Sequence, residues 1–67
     1  DGNPVKLRKS ASQKEPVYWL VNPGARVLVE REKDGWALVT AICTDGYTRR
    51  AYMMSNFLRG VTRWNGR

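Results

Sequence analysis

Short apolar and aromatic runs alternate with turn-forming residues along this chain. The pairs Pro23-Gly24, Asp34-Gly35 and Asp45-Gly46 recur at nearly even spacing, and the runs between them are rich in valine, leucine, isoleucine and aromatic residues. Short strands punctuated at such intervals are typical of a small all-β sandwich or barrel. The pattern therefore predicts an all-β fold. Since a barrel this small has little room for an enclosed active site, we expect function on its outer face and loops.

The alternation is clearest in residues 25–32, where Val27 and Val29 face one side of a strand and Leu28 faces the other. Asp34-Gly35 predicts a tight hairpin after this strand, because Asp-Gly tolerates the left-handed φ values of such turns. Residues 9–16 are polar and predict a mobile loop. The predicted strands cover residues 5–8, 17–21, 25–32, 36–43 and 47–54, followed by a short helical turn at 55–58.

Length and composition limit the chemistry that the chain can perform. Its 67 residues make one domain, and Cys43 is the only cysteine, so no internal disulfide forms and stability must come from the apolar strands. The sequence has no histidine to activate Cys43 or to complete a zinc site with it. We therefore expect no enzymatic activity, no metal site and no cofactor.

Positive charge dominates the surface chemistry. The net charge is +6, and arginine supplies eight of the twelve basic residues. This favours an anionic partner such as nucleic acid, a membrane surface or a wall polymer, although a basic surface can also serve solubility alone. No apolar run approaches the roughly 20 residues of a membrane span, and no signal peptide is visible. Because the sequence starts at Asp1 without a methionine, we expect a segment of a larger protein.

Four segments, in order, resemble the motifs of bacterial Src-homology-3-like (SH3-like) domains. Residues 5–8 resemble the opening strand of that family, and Gly24 with residues 27–29 resembles its G-x-x-V-x-V strand. The most distinctive match is residues 34–36 followed by Val39, which resembles the family's x-G-W-x-x-V hairpin. Residues 52–58 resemble its closing segment. The resemblance thus runs through residues 5–58, nearly the whole chain.

The resemblance implies a small SH3-like barrel of about five to seven short antiparallel strands, with one short 3₁₀ turn near the C-terminus. It divides the chain into a linker end at 1–4, the barrel at 5–58 and a basic tail or linker at 59–67. The family usually has glycine where this chain has Ala51, and the segment from Val39 to Tyr52 is longer than typical. We therefore expect a changed turn or a bulge in that segment.

In that family the barrel is an accessory module of cell-wall hydrolases, phage lysins and other exported bacterial proteins, and is not itself an enzyme. The resemblance implies a module that targets a larger protein to the bacterial cell wall by binding peptidoglycan or its peptides, together with an extracellular or wall-associated location. Anionic wall polymers are further expected partners. An alternative is a docking module for another protein or a neighbouring domain. A third is binding of nucleic acid or another polyanion, which the charge and the aromatic residues permit but which we rank last.

Aromatic and basic residues supply the candidate site. Trp36 ranks first because exposed aromatics give large contact area at low conformational cost, although its ring can instead seal one end of the barrel. Tyr18 and Trp19 are neighbours in a strand and point to opposite faces. Since Trp19 shares its phase with Val17 and Val21, we expect Tyr18 to be the exposed member. The candidate ligand-binding residues are Tyr18, Trp36, Tyr47, Arg49, Arg50 and Tyr52.

The basic pair Arg49-Arg50 follows Tyr47 in the sequence. A guanidinium presents a planar fork of donors, so this pair could clamp carboxylates or phosphates. The alternative is a solvated strand edge whose charges discourage edge-to-edge pairing.

Overall fold

Six strands of one sheet and one 3₁₀ helix make up the fold in the computed structural model, which describes residues 2–64. The sheet order is β2-β1-β5-β4-β3-β6. The predicted all-β fold with a 3₁₀ turn near the C-terminus is therefore confirmed. In chain order the elements are β1 (Val5–Arg8), β2 (Val17–Val21), β3 (Arg26–Lys33), β4 (Trp36–Ile42), β5 (Thr48–Met54), the 3₁₀ helix (Ser55–Gly60) and β6 (Thr62–Trp64).

The sheet curls around one apolar core. β2 lies at one edge of the sheet and β3 lies four strands away from it, yet the fully buried Val21 and Val27 belong to the same core cluster. The Thr44 amide donates to the Leu20 carbonyl at 2.9 Å, which ties the β4–β5 turn to β2. No polar or charged residue among positions 2–64 is buried. The core residues are Val5, Leu7, Val21, Val27, Ala37, Val39, Ala41, Cys43, Ala51 and Met53.

Strand β6 lies within the segment 59–67 that the sequence assigns to a tail or linker. It pairs in parallel with β3, whereas the other paired strands are antiparallel. The Thr62 amide donates to the Ala25 carbonyl at 2.8 Å, and its hydroxyl donates to the Gly24 carbonyl at 3.0 Å. All three β6 residues are exposed, so the alternation of hydrophobic and polar residues could not predict this strand. Residues 65–67 of that segment lie outside the described residues.

Two bulges interrupt the strand ladders. In β2, Leu7 pairs with Trp19 and Arg8 with Val17, so Tyr18 is an extra residue. A bulge breaks the strict alternation of faces. Val17 is consequently 43% exposed, and Tyr18, which we expected to be exposed, is half-buried and packs against the core as Trp19 does.

The second bulge lies in β3, where Val29 pairs with Val39 and Arg31 with Leu38, leaving Glu30 as the extra residue. The bulge expected between Val39 and Tyr52 is absent from the described strands β4 and β5. Their pairs run without interruption from Trp36–Met54 to Ile42–Thr48. The additional length of this segment therefore extends the hairpin.

Candidate binding face

The β3–β4 hairpin fixes the position of Trp36. Asp34 and Gly35 both have positive φ, 54° and 83°, which is the conformation of a two-residue type I′ turn. Lys33 pairs directly with Trp36 across this turn. The predicted Asp-Gly hairpin is thus confirmed, and it makes Trp36 the first residue of β4.

Trp36 and Tyr52 share the outer face of the sheet, the face opposite the core. Ala37, Val39 and Ala51 point into the core, so the alternate residues of β4 and β5 point outward. Directly paired residues lie on the same face. Two cross-strand rows follow, the first Arg31–Leu38–Tyr52 and the second Lys33–Trp36–Met54.

The two rows surround a shallow depression of about 580 Å³, here called the aromatic depression. The half-buried rings of Trp36 and Tyr52 form part of its wall. Ala11 contributes from the β1–β2 loop, which the Arg8 guanidinium holds through the Glu15 carbonyl. This depression is lined by Ala11, Arg31, Lys33, Asp34, Trp36 and Tyr52.

The β1–β2 loop forms one wall of the site and is held by several hydrogen bonds, while its predicted mobility stays a prediction. The Ser12 amide donates to the Ser10 carbonyl at 2.8 Å, and the Glu15 amide donates to the Ser12 carbonyl at 3.2 Å. Gln13 reaches across to β5, where its Nε2 lies 3.3 Å from the sulfur of Met54. These bonds hold the loop beside the second row.

The aromatic depression carries an excess of positive charge. Arg31, Lys33 and Asp34 line it, so two cations stand against one carboxylate. Within residues 2–64, neither cation takes part in an ion pair, because the three bridges of that region join Asp45 to Arg49, Glu30 to Arg50 and Glu32 to Arg63. Both cations are therefore available to an incoming anion.

Three hydrogen-bonded polar side chains on neighbouring strands border the aromatic depression, and they are here called the polar row: Glu30, Thr40 and Arg50. Glu30, the extra residue of the β3 bulge, accepts hydrogen bonds from the Thr40 hydroxyl at 2.7 Å and from Nε of Arg50 at 3.0 Å. The Arg50 bond, with help from Thr40, lowers the pKa of the Glu30 carboxyl. Arg50 is thus occupied by an internal partner, which leaves it a border residue of the site.

Arg49 lies toward the end of the sheet opposite Trp36. It donates from two guanidinium nitrogens to Asp45 at 2.7 and 2.9 Å, and its guanidinium carbon lies 3.8 Å from the centre of the Trp19 ring. These hydrogen bonds from Arg49 lower the pKa of Asp45 to about 2. The Arg49 side chain is only 18% exposed. Arg49 therefore packs on Trp19 at one end of the molecule, with two guanidinium nitrogens already bonded to Asp45.

Four of the six predicted site residues meet in two separate pairs, Trp36 with Tyr52 in the aromatic depression, and Tyr47 with Arg49, whose guanidinium carbon lies 5.9 Å from the centre of the Tyr47 ring. Tyr47 is 71% exposed but precedes β5 at the far end, about 20 Å from Trp36 along the hairpin. Tyr18 packs against the core, with Nζ of Lys9 4.8 Å from its ring centre. A single groove of all four aromatic residues is not formed.

Sequence reasoning missed the roles of Arg31 and Lys33. It treated the mixed charges of this hairpin as ordinary surface, whereas the strand register pairs Arg31 with Leu38 and Lys33 with Trp36 on the outer face. The sequence feature that could have placed these two cations beside Trp36 is the two-residue turn. Asp34-Gly35 forces Lys33 opposite Trp36, and strand alternation then puts Arg31 on the same face.

A second, apolar depression of about 290 Å³ lies beyond the polar row on the same outer face. Trp64 of β6 pairs with Leu28, and both contribute to it together with the exposed Ile42. This apolar depression is lined by Arg26, Leu28, Thr40, Ala41, Ile42, Thr48 and Trp64.

Compared with family models, with curated proteins and with solved structures, the chain matches none of them. In residues 2–64 no cluster of histidine, cysteine, aspartate or glutamate is placed to hold a metal ion. The same part of the chain has no helix of the length and apolar character that crossing a bilayer requires. What the outer face binds must therefore be inferred from its own residues.

Proposed function

We propose that this chain is a non-catalytic binding module that attaches a larger protein to the bacterial cell wall by binding peptides of peptidoglycan at the aromatic depression. The observation that carries the proposal is the placement of Trp36 and Tyr52 side by side on an open, curved face. Neither ring is needed to fill the core, whose residues lie on the opposite face. The location that follows is extracellular or wall-associated.

The shape and chemistry of the depression suit an extended peptide. Its volume of about 580 Å³ falls within the range of small-ligand sites, while its open form leaves both ends free for a longer chain. Aromatic side chains supply contact area, and Ala11 of the β1–β2 loop lies beside them. Peptides bound along strands and loops in this way combine main-chain hydrogen bonds with side-chain pockets.

The fold adds support at a coarser level. A small all-β domain with a 3₁₀ turn near its C-terminus is consistent with an SH3-like barrel. The motif with the clearest resemblance to bacterial SH3-like domains, residues 34–36, forms the hairpin that presents Trp36. Family resemblance and site geometry thus point to the same residue.

A second candidate function, docking of a protein or a neighbouring domain, is favoured by the apolar depression. Ile42 is 59% exposed and Trp64 43% exposed, and they lie together on one surface. Exposed apolar surface rimmed by polar groups often marks a protein contact. This surface is separate from Trp36, so the two functions can be tested by different variants.

The test is co-sedimentation of the purified chain with bacterial sacculi stripped of teichoic acid, at raised salt to suppress charge attraction. We expect the wild type to pellet. Trp36→Ala should weaken binding about tenfold or more, as truncation of a central aromatic contact does. Trp64→Ala is the matched control, because it also removes a partly exposed tryptophan, and should change binding less than about twofold.

Circular dichroism and thermal unfolding of both variants establish that each remains folded. A wild type that stays in the supernatant contradicts wall binding. Loss of binding in Trp64→Ala but not in Trp36→Ala moves the contact to the apolar depression and favours the docking function.

A further inference from the structure

We infer that the aromatic depression recognises a carboxylate group of its peptide ligand through Arg31 and Lys33, with Trp36 packing on the adjoining residues. The inference rests on the proposed function in taking the ligand to be a peptide. It goes further by naming the chemical group that is recognised and the residues that select it.

The two cations are placed to act on one group. Arg31 and Lys33 are two residues apart in β3 and follow the bulge, so they point to the same side at a spacing of about 7 Å. Lys33 pairs with Trp36, and Arg31 lies in the same row as Tyr52. Lys33 thus stands directly opposite Trp36, and Arg31 faces Tyr52 across Leu38.

The ion pairs made by the other charged residues of β3 distinguish these two cations from their neighbours. Glu30 engages Arg50 and Glu32 engages Arg63, at 3.0 and 2.6 Å, so the neighbouring carboxylates of β3 are already satisfied. Asp34 is the one described carboxylate that lines the depression, and it sits at the tip of the turn. The face therefore keeps a net positive charge after its internal pairs are counted.

A carboxylate fits this arrangement better than a phosphate polymer. Arginine donates two parallel hydrogen bonds to a planar carboxylate, and lysine adds a compact positive charge. A polyanion is bound by many cations along its backbone. Here two cations stand together with an opposing Asp34, which is enough for one group at the end or side of a peptide.

The direct test uses soluble probes that need no cell wall. The ¹⁵N-labelled chain is titrated with N-acetylglycylglycine and with N-acetylglycylglycinamide, which differ only in the carboxylate. We expect the acid to shift the Trp36 indole and the Arg31 guanidinium resonances, and the amide to bind about tenfold more weakly. Equal binding of both probes, or shifts confined to other residues, overturns the inference.

Charge variants separate a local contact from general attraction. The double variant Arg31→Gln/Lys33→Gln should abolish the preference for the acid. The control Lys6→Gln/Arg59→Gln lowers the net charge equally at two exposed positions outside the depression and should keep the preference. Asp34→Asn removes the opposing carboxylate while asparagine keeps the positive φ of the turn. It should tighten acid binding about threefold, and a loss of acid binding in this variant contradicts the inference.

Sacculi whose carboxyl groups have been amidated with carbodiimide and ammonia distinguish the two proposals. If the chain binds untreated and amidated sacculi equally and Trp36→Ala abolishes both, wall binding stands and carboxylate recognition fails. If the acid probe binds at Arg31 but sacculi do not, carboxylate recognition stands and the wall is the wrong source. An eight-nucleotide oligo-dT that shifts the same resonances at lower concentration than the acid overturns the inference in favour of a nucleic-acid phosphate.

Discussion

The guanidinium of Arg49 stacks on the ring of Trp19, with 3.8 Å between its central carbon and the ring centre. The contact joins β5 to β2, strands separated by β1 in the sheet. Arg49 shares the inward phase of Ala51 and Met53, so it covers the end of the core that no apolar residue of β5 reaches. The ion-paired side chain of Arg49 therefore covers this end of the core in place of a large apolar residue.

Arg49→Ala should destabilise the chain more than Arg50→Ala. The first change removes the stacking on Trp19 and leaves Asp45 without its arginine, whereas the second breaks an ion pair whose arginine side chain is 63% exposed. Exposed ion pairs contribute little. Urea unfolding followed by tryptophan fluorescence measures both midpoints. Equal losses in the two variants contradict a structural role for the stacked arginine.

We expect the free energy of unfolding to fall at acid pH, because Asp45 becomes protonated there. Its pKa is lowered from its ordinary value of 3.8 to about 2, mainly by the hydrogen bonds from Arg49. A carboxyl group whose pKa is lower in the folded chain stabilises fully above the unfolded pKa, and this stabilisation is lost as the pH falls toward the folded pKa. The loss is expected between about pH 4 and pH 2.

Asp45→Asn tests this assignment, because the amide oxygen can still accept the Tyr47 amide bond. The difference in melting temperature between wild type and variant should be large at pH 6 and shrink by pH 2. Glu30 also has a lowered pKa, so some acid dependence persists in the variant. A difference that stays constant over this range shows that Asp45 is not the titrating group.

Met53 and Met54 are adjacent in β5 and face opposite sides, Met53 fully buried and Met54 half-buried on the outer face. Met53→Ala should lower the free energy of unfolding by about 2–5 kcal/mol, because it leaves a cavity in the core. Met54→Ala should cost less than about 1 kcal/mol. Chemical denaturation of the two variants measures both values, and a reversed order contradicts the assigned faces.

Gly35→Ala should destabilise the β3–β4 hairpin, since φ at this position is +83°. The left-handed region costs an L-residue about 1–2 kcal/mol. Gly60→Ala is the control, because a Cβ there would lie at an ordinary 3.5 Å from Cγ2 of Val5. It should change stability by less than about 0.5 kcal/mol. Equal effects on unfolding free energy contradict the turn conformation.

Much of the fold was predictable because its strongest signals are local. Asp34-Gly35 fixes a turn by its own backbone preference, and Val27 with Val39 marks the inward faces of β3 and β4. β6 was not predictable in this way. It is three exposed residues long and is held by bonds to Gly24 and Ala25, which are remote in sequence.

The candidate site was predictable only in its aromatic half. Trp36 and Tyr52 could be chosen because they are aromatic, but Tyr47 is aromatic too and lies at the other end of the hairpin. Distance along a strand decides which of them meet. Arg50 was a candidate for binding carboxylates or phosphates, yet its partner Glu30 is twenty residues away and faces it only across β4.

The Glu30 bulge decides which sign of charge stands beside Trp36. If the ladder continued from Val29–Val39 without the extra residue, Glu30 would lie opposite Leu38 and Glu32 opposite Trp36. The same sequence would then offer an acidic surface and attract cationic groups. The charge of this face is therefore a property of strand register as well as of composition, because the same residues in a ladder without the bulge would place two carboxylates opposite Leu38 and Trp36.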